Sequence, residues 1–142
     1  MIKKLALAAA LAIASTAALA DVPSFDAQRH FDTIASGDVA LLMRGYADSA
    51  QFNWVGGPLD GTYTGIDAIR SVWEKFTKAQ GQMKVSVGNV EEAENPKGAS
   101  VTANVVFEGK QPIRVRYVLT YRDARIVSET WQIDATPAKS GN

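Results

Sequence analysis

Apolar residues recur along this chain with two different periods, and the change of period divides it. Over Pro23–Ser36, Ala27, His30, Phe31 and Ile34 fall at i, i+3, i+4 and i+7, one face of a helix. Gly37 ends that pattern and Asp38 is placed to cap a second helix, where Val39, Leu42, Met43 and Tyr46 repeat the spacing. A short strand over residues 50–55 and a Gly/Pro loop over 56–61 come next. A third helix starts near Gly65. Thr64 and Asp67 stand at capping-box spacing, and Ile66, Ile69, Trp73 and Phe76 form its buried stripe with Val72 beside it.

From there the period drops to two. Met83, Val85 and Val87 share one face, as do Val101, Ala103, Val105 and Phe107. Ile113, Val115, Tyr117, Leu119 and Tyr121 alternate with Arg114, Arg116, Val118, Thr120 and Arg122. Such alternation fits a sheet with one covered face. A last strand runs from Arg125 to about Ile133, with Val127, Glu129, Trp131 and Ile133 on one face. Turn-like links at 91–98, 108–110 and 122–124 imply antiparallel hairpins. The order is helix, helix, strand, helix, then four antiparallel strands. This predicts an α+β fold, a cone-shaped curved antiparallel sheet wrapped around three N-terminal helices, with a pocket lined by apolar side chains.

The first twenty residues do not fit this scheme. Lys3 and Lys4 precede an unbroken apolar run from Leu5 to Ala14, and Ala18-Leu19-Ala20 matches a small-x-small cleavage site. We read residues 1–20 as a secretory signal peptide cleaved after Ala20, with a domain over 21–135 and a flexible tail over 136–142. The expected location is periplasmic or secreted. The apolar run is too short for a stable membrane span, which needs roughly 20 residues.

Composition narrows the partners. The chain has 15 basic and 15 acidic residues, and two of the basic ones belong to the leader. The slightly acidic remainder excludes nucleic acid as a partner, because phosphate binding needs a basic footprint. There is no cysteine, so neither thiol chemistry nor a disulfide contributes. No phosphate loop is present, since Gly56-Gly57 runs into Pro58, and no nucleophile elbow occurs. No spacing of histidine and carboxylates supplies three or four metal ligands. The expected chemistry therefore uses no cofactor and no metal.

Several local signatures carry a family resemblance. They are Ser36-Gly37-Asp38, Tyr46-Ala47-Asp48-Ser49-Ala50, the segment Gly61-Thr62-Tyr63-Thr64-Gly65-Ile66-Asp67-Ala68-Ile69, and Arg125-Ile126-Val127 through to Trp131. In this order they resemble the nuclear transport factor 2-like superfamily, which includes ketosteroid isomerases and SnoaL-like polyketide cyclases. The resemblance implies the cone fold and a homodimer joined through the outer sheet face, where Arg114 and Arg116 lie. It leaves activity open, because one fold hosts many functions. Ketosteroid isomerases use an Asp base and an oxyanion hole of a Tyr and a protonated Asp. By register those groups fall at Trp54, His30 and Tyr117, so none is matched and steroid isomerisation by that route is not expected.

Three residues are candidates for chemistry. His30, the sole histidine, is either a general acid or base opening into the pocket or a histidine satisfied at the rim of the core. Tyr117 lies mid-strand on the covered face, as a ligand donor or a packing tyrosine, and the family register brings its hydroxyl towards His30. Glu129 either turns inward among apolar groups, where it demands partners, or sits at an edge paired with an arginine. Tyr46, Phe52, Trp54, Val101, Val105, Leu119 and Trp131 are the expected pocket lining, and Trp73 reads as core.

Two functions follow. In the first, the protein acts on a small hydrophobic molecule by isomerisation, dehydration or cyclisation. His30 is then acid or base, Tyr117 the oxyanion donor, and Glu129 orients or deprotonates. In the second, the same pocket or the outer sheet face serves a non-catalytic small-molecule-binding or protein-interaction domain. A cystatin-like fold is disfavoured, because three helical segments precede the main sheet.

Overall fold

The computed structural model describes residues 22–135; residues 1–21 and 136–142, with the expected signal peptide and tail, lie outside them. Helix α1 (Pro23–Ser36) has proline in its first turn and no side-chain cap at Val22. Glu92 Oε2 from across the fold instead accepts from the Ser24 N–H at 2.7 Å, placing a carboxylate on an otherwise open helix start. Gly37, with φ of 78°, closes α1 in the left-handed conformation, and its N–H returns to the Ile34 carbonyl. Asp38 then caps α2 (Val39–Met43), its Oδ1 accepting from the Leu41 N–H at 3.0 Å.

Six strands form one curved sheet in the order β2-β1-β6-β5-β4-β3. They are β1 (Tyr46–Val55), β2 (Gly61–Thr64), β3 (Lys84–Asn95), β4 (Gly98–Glu108), β5 (Pro112–Arg122) and β6 (Arg125–Ile133), with α3 (Ile66–Gln80) between β2 and β3. The last four strands pair antiparallel, as the short links required. The pairing of β1 with β6 is parallel, which the alternation pattern does not reveal.

Four local expectations are corrected. Tyr46 does not extend α2, which stops at Met43 after five residues; it opens β1 and pairs with Ile126. The Gly/Pro loop is shorter than expected, because Gly61 already pairs with Trp54 in β2. Thr64 does not cap α3. Gly65 is the N-cap at φ 87° and ψ 163°, a conformation reserved for glycine, so Asp67 turns to Arg70 at 3.1 Å instead. Strand β3 runs on to Asn95, leaving only Pro96 and Lys97 as the turn.

A bulge in β6 resets its faces. Tyr121 of β5 opposes Ile126 while Thr120 opposes Ser128, so Val127 is unpaired. Ile126, Glu129 and Trp131 consequently point inward, and Val127, expected to share their face, is only partly buried.

The cone interior is packed with rings. Trp54 stacks on Trp131 with centroids 4.4 Å apart, Phe107 stacks on the same indole at 5.0 Å, and Phe52 stacks on Trp73 at 5.1 Å. Phe76 meets Trp131 edge-on at 5.2 Å. Each such pair adds about 0.5–1.5 kcal/mol beyond the area it buries.

The turn between β3 and β4 is tightly constrained. A Cβ at Gly98 would lie 2.2 Å from the Tyr121 carbonyl oxygen, whereas one at Gly57 (φ 75°) would meet nothing within 4 Å. Gly98→Ala is expected to cost about 3 kcal/mol or more through displaced β4–β5 backbone, and Gly57→Ala only about 1 kcal/mol of conformational strain. Urea unfolding of the two variants measures the contrast.

Candidate functional site

Glu129 organises the interior. It sits mid-strand in β6 with no exposure to solvent, opposite Phe52 on one side and Leu119 on the other. A carboxylate in such surroundings is tolerated only if its lone pairs are filled. Three donors fill them. The Tyr46 hydroxyl donates to Oε1, the Tyr117 hydroxyl donates to Oε2, and His30 Nε2 lies 2.5 Å from Oε2. The inward alternative for Glu129 is therefore the one adopted, with no arginine involved.

Each donor is delivered by a different element. His30 reaches in from α1 because it shares the face of Ala27, Phe31 and Ile34, all fully buried. Tyr117 stands at the middle of β5, opposite Trp131. Tyr46 starts β1, and its oxygen accepts from Trp73 Nε1 of α3 at 2.8 Å, which commits its own proton to Glu129. A carboxylate only accepts, so His30 must donate from Nε2. Burial, then the adjacent Glu129 charge, push the Tyr46 and Tyr117 hydroxyls well above the usual phenol value, so both remain donors.

His30 also lines a cleft of about 590 Å³ at the open end of the cone. Its walls come from α1, the α2–β1 corner, the β3–β4 turn and the β5–β6 turn. Leu41, Leu42, Ala99 and Ile126 are apolar, and Arg29, Arg44, Lys97, Asp26, Glu94 and Asp123 bring charges of both signs. Arg29 is paired with Asp26 at 2.5 Å. Among the described residues no group of three His, Asp or Glu side chains converges as a metal site would require.

The structure brings His30, Tyr117 and Glu129 together, as the sequence suggested. The rings of His30 and Tyr117 are 6.1 Å apart, and both bond one carboxylate oxygen. It does not open the expected lining. Phe52, Trp54, Val101, Val105, Leu119 and Trp131 are all buried, none more than 4% exposed, and none borders the cleft. They fill the space that was expected to be hollow, because the large rings interlock across it. Tyr46, also expected in that lining, is a clamp on Glu129. Tyr117 cannot serve as a free oxyanion donor, since its hydroxyl is spent on the same carboxylate. Sequence reasoning missed the roles of Tyr46 and Trp73. The signal available was an inward carboxylate that had to have more than two donors nearby.

The raised phenols make a signed prediction. Their native proton affinity exceeds that of the unfolded chain, so their contribution is complete below about pH 10, the free-phenol value, and is lost as pH rises beyond it. Stability should fall above pH 10 by up to about 1.4 kcal/mol per pH unit for each phenol. Tyr117→Phe should cost about 1.5–3 kcal/mol at pH 8 by removing a hydrogen bond to a charged group. Its deficit relative to the parent should shrink towards pH 11. Urea midpoints across pH 8–11 test both statements.

Comparison with known proteins agrees with this architecture. The SnoaL-like domain profile matches residues 27–129. No curated protein matches by sequence. Solved structures do match. A candidate dehydratase of the nuclear transport factor 2-like family from Streptomyces avermitilis is 12% identical, with a TM-score of 0.67 over 80% of this chain and 94% of its own. A candidate calcium/calmodulin-dependent protein kinase type II association domain from Thiobacillus denitrificans is 16% identical, with a TM-score of 0.67 over 80% and 95%. A candidate polyketide cyclase from Sinorhizobium meliloti is 23% identical, with a TM-score of 0.54 over 79% and 96%. At such identities these likenesses speak to the fold alone. With most of its length matched by the family profile, from α1 to the buried Glu129, the chain belongs to the SnoaL-like domain family, on a nuclear transport factor 2-like fold.

Proposed function

We propose that this protein is an exported, cofactor-free catalyst of proton transfer on a small, largely apolar molecule held in the cleft, with His30 as the base. One observation carries the reading: His30 borders the cleft while its Nε2 is bound by a fully buried carboxylate that two tyrosines clamp. Export rests on the leader pattern of residues 1–20, and a homodimer through the outer sheet face rests on the family resemblance.

The geometry suits a simple sequence. Nδ1 takes a proton from a carbon next to a carbonyl, and the electron pair moves onto the carbonyl oxygen as an enolate. The imidazolium that forms is stabilised through Nε2–H by Glu129, which keeps its own charge. The proton then returns to another carbon, giving isomerisation, or to a departing hydroxyl, giving dehydration. Glu129 touches no substrate and is a positioning residue. The names of the dehydratase and cyclase among the structural neighbours point the same way.

A second reading is binding without turnover. The filled cone favours it, because a ligand reaches only the outer cleft and one edge of His30. The association domain among the neighbours is an example of the fold named for assembly.

Exchange of carbon-bound protons for deuterium separates the two. With 2-tetralone in D₂O followed by NMR, the protein should raise the α-proton exchange rate about 100-fold or more over buffer. His30→Ala and His30→Gln should return it to background, and the glutamine keeps a donor for Glu129. No acceleration by the parent protein would remove the catalytic reading. The binding reading would then stand if the same ketone raises the melting temperature.

A further inference from the structure

Two indoles of the core differ in one respect. Trp131 and Trp73 both lack solvent exposure, but Trp131 Nε1 has no hydrogen-bond partner among the described residues, whereas Trp73 Nε1 donates to the Tyr46 hydroxyl at 2.8 Å. Packing alone does not ask for that bond, since Trp73 already lies against Phe52 at 5.1 Å and Trp54 at 5.6 Å. The two oxygens of Glu129 differ as well. Oε2 meets both Tyr117 and His30, while Oε1 receives Tyr46 alone. The orientation of the carboxylate therefore leans on one hydroxyl, and a hydroxyl turns to suit whatever occupies its oxygen. Trp73 occupies that oxygen. No residue of α3 borders the cleft, so this bond is the helix's link to the site.

We propose that Trp73 is a positioning residue of the site: its indole N–H turns the Tyr46 proton onto Oε1 and so fixes the carboxylate that holds His30. This rests on the proton-transfer reading and adds to it a residue that does not border the cleft. A donor entering the Tyr46 oxygen polarises its O–H and strengthens the bond passed on to Glu129. Burial, then the Glu129 charge, raise the Tyr46 phenol, and the Trp73 bond acts against both, which is the sense of a strengthened donor. With Oε1 held, the negative charge is shared between the two oxygens. Without Trp73, Oε1 loses its one donor part of the time. Charge then returns to Oε2, the bond to His30 tightens, and the carboxylate loses its fixed orientation. The path runs from α3 through β1 and β6 to α1, so a helix on the far side of the network governs how the imidazole is held.

His30 is the sole histidine, so proton NMR of the ¹⁵N-labelled protein reads its Nε2 proton without overlap from another imidazole. Trp73→Phe, which keeps a ring and removes the donor, should move that signal downfield, and Tyr46→Phe should move it further the same way. Phe76→Leu strips a ring that meets Trp73 at 5.7 Å and breaks no bond of the network; it should lower stability and leave the signal in place. Growth on 5-fluorotryptophan makes the indole a stronger donor and should move the signal upfield. Trp54 and Trp131 carry the label too, but none of the network's bonds is theirs. In the deuterium exchange of 2-tetralone, Trp73→Phe should lower kcat about tenfold at unchanged KM. A signal unmoved by Trp73→Phe, or moved as far by Phe76→Leu, would overturn the proposal. Should Trp73→Phe fail to fold, an unmoved signal in the fluorinated protein overturns it. The two readings fail separately. A signal that follows the indole donor in a protein that exchanges no deuterium sinks the proton-transfer reading alone. Exchange that requires His30, with a signal indifferent to Trp73, sinks the positioning role alone.

Discussion

A carboxylate shut away from water must take all its hydrogen bonds from the protein, and in this fold that demand falls on four elements at once. Glu129 of β6 receives Tyr46 from β1, Tyr117 from β5 and His30 from α1, and Tyr46 is itself held by Trp73 of α3. The helices are thereby registered against the sheet by directional bonds in addition to apolar packing. Burying an ion is a poor route to stability, because a hydrophobic residue of similar volume commonly does as well or better. Removing one partner is a different matter, since it strands the rest in a medium that cannot solvate them. The network therefore makes the interior specific, and what it specifies is the position of one imidazole.

The same interior explains where a ligand can and cannot go. Stacked rings of Trp54, Trp131, Phe107, Phe52 and Trp73 close the deep part of the cone. A cleft lies where α1, the α2–β1 corner and two hairpin turns meet. His30 stands at the boundary between the two regions. One of its nitrogens belongs to the dry network, while the residue borders the cleft. A molecule entering there meets an apolar wall and charges of both signs.

Much of this was legible in the chain before folding. Period-3.6 stripes marked α1 and α3, strict alternation marked β4 and β5, and the Gly37-Asp38 pair marked a helix end and the next cap. These signals are local and repeat several times, so they survive tertiary context. What escaped was set by single residues acting at long range. The bulge at Val127 shifts the inward face of β6 by one residue, and alternation cannot register an unpaired position. Gly65 replaces a side-chain cap because only glycine tolerates its backbone angles, while the neighbouring Thr64 and Asp67 imitate a capping box. The parallel pairing of β1 with β6 joins residues about eighty positions apart and leaves no periodic trace. For the site, side-chain type and face brought His30, Tyr117 and Glu129 together. Whether rings fill a hollow depends on summed volumes and rotamers, which no one-dimensional pattern encodes.

The choice of histidine at position 30 bears on whether the network is only structural. To satisfy Glu129 from α1, any inward donor of suitable reach would serve, and an amide or an indole would do so without introducing a basic group. Imidazole differs in one respect. It carries two ring nitrogens, and the bond to Glu129 engages only Nε2. A network built only for packing would have no use for that second nitrogen, and placing its residue beside the cleft would bring water close to an otherwise dry carboxylate. The residue is buried to 7% exposure and still borders the cleft, so the network ends where solvent begins.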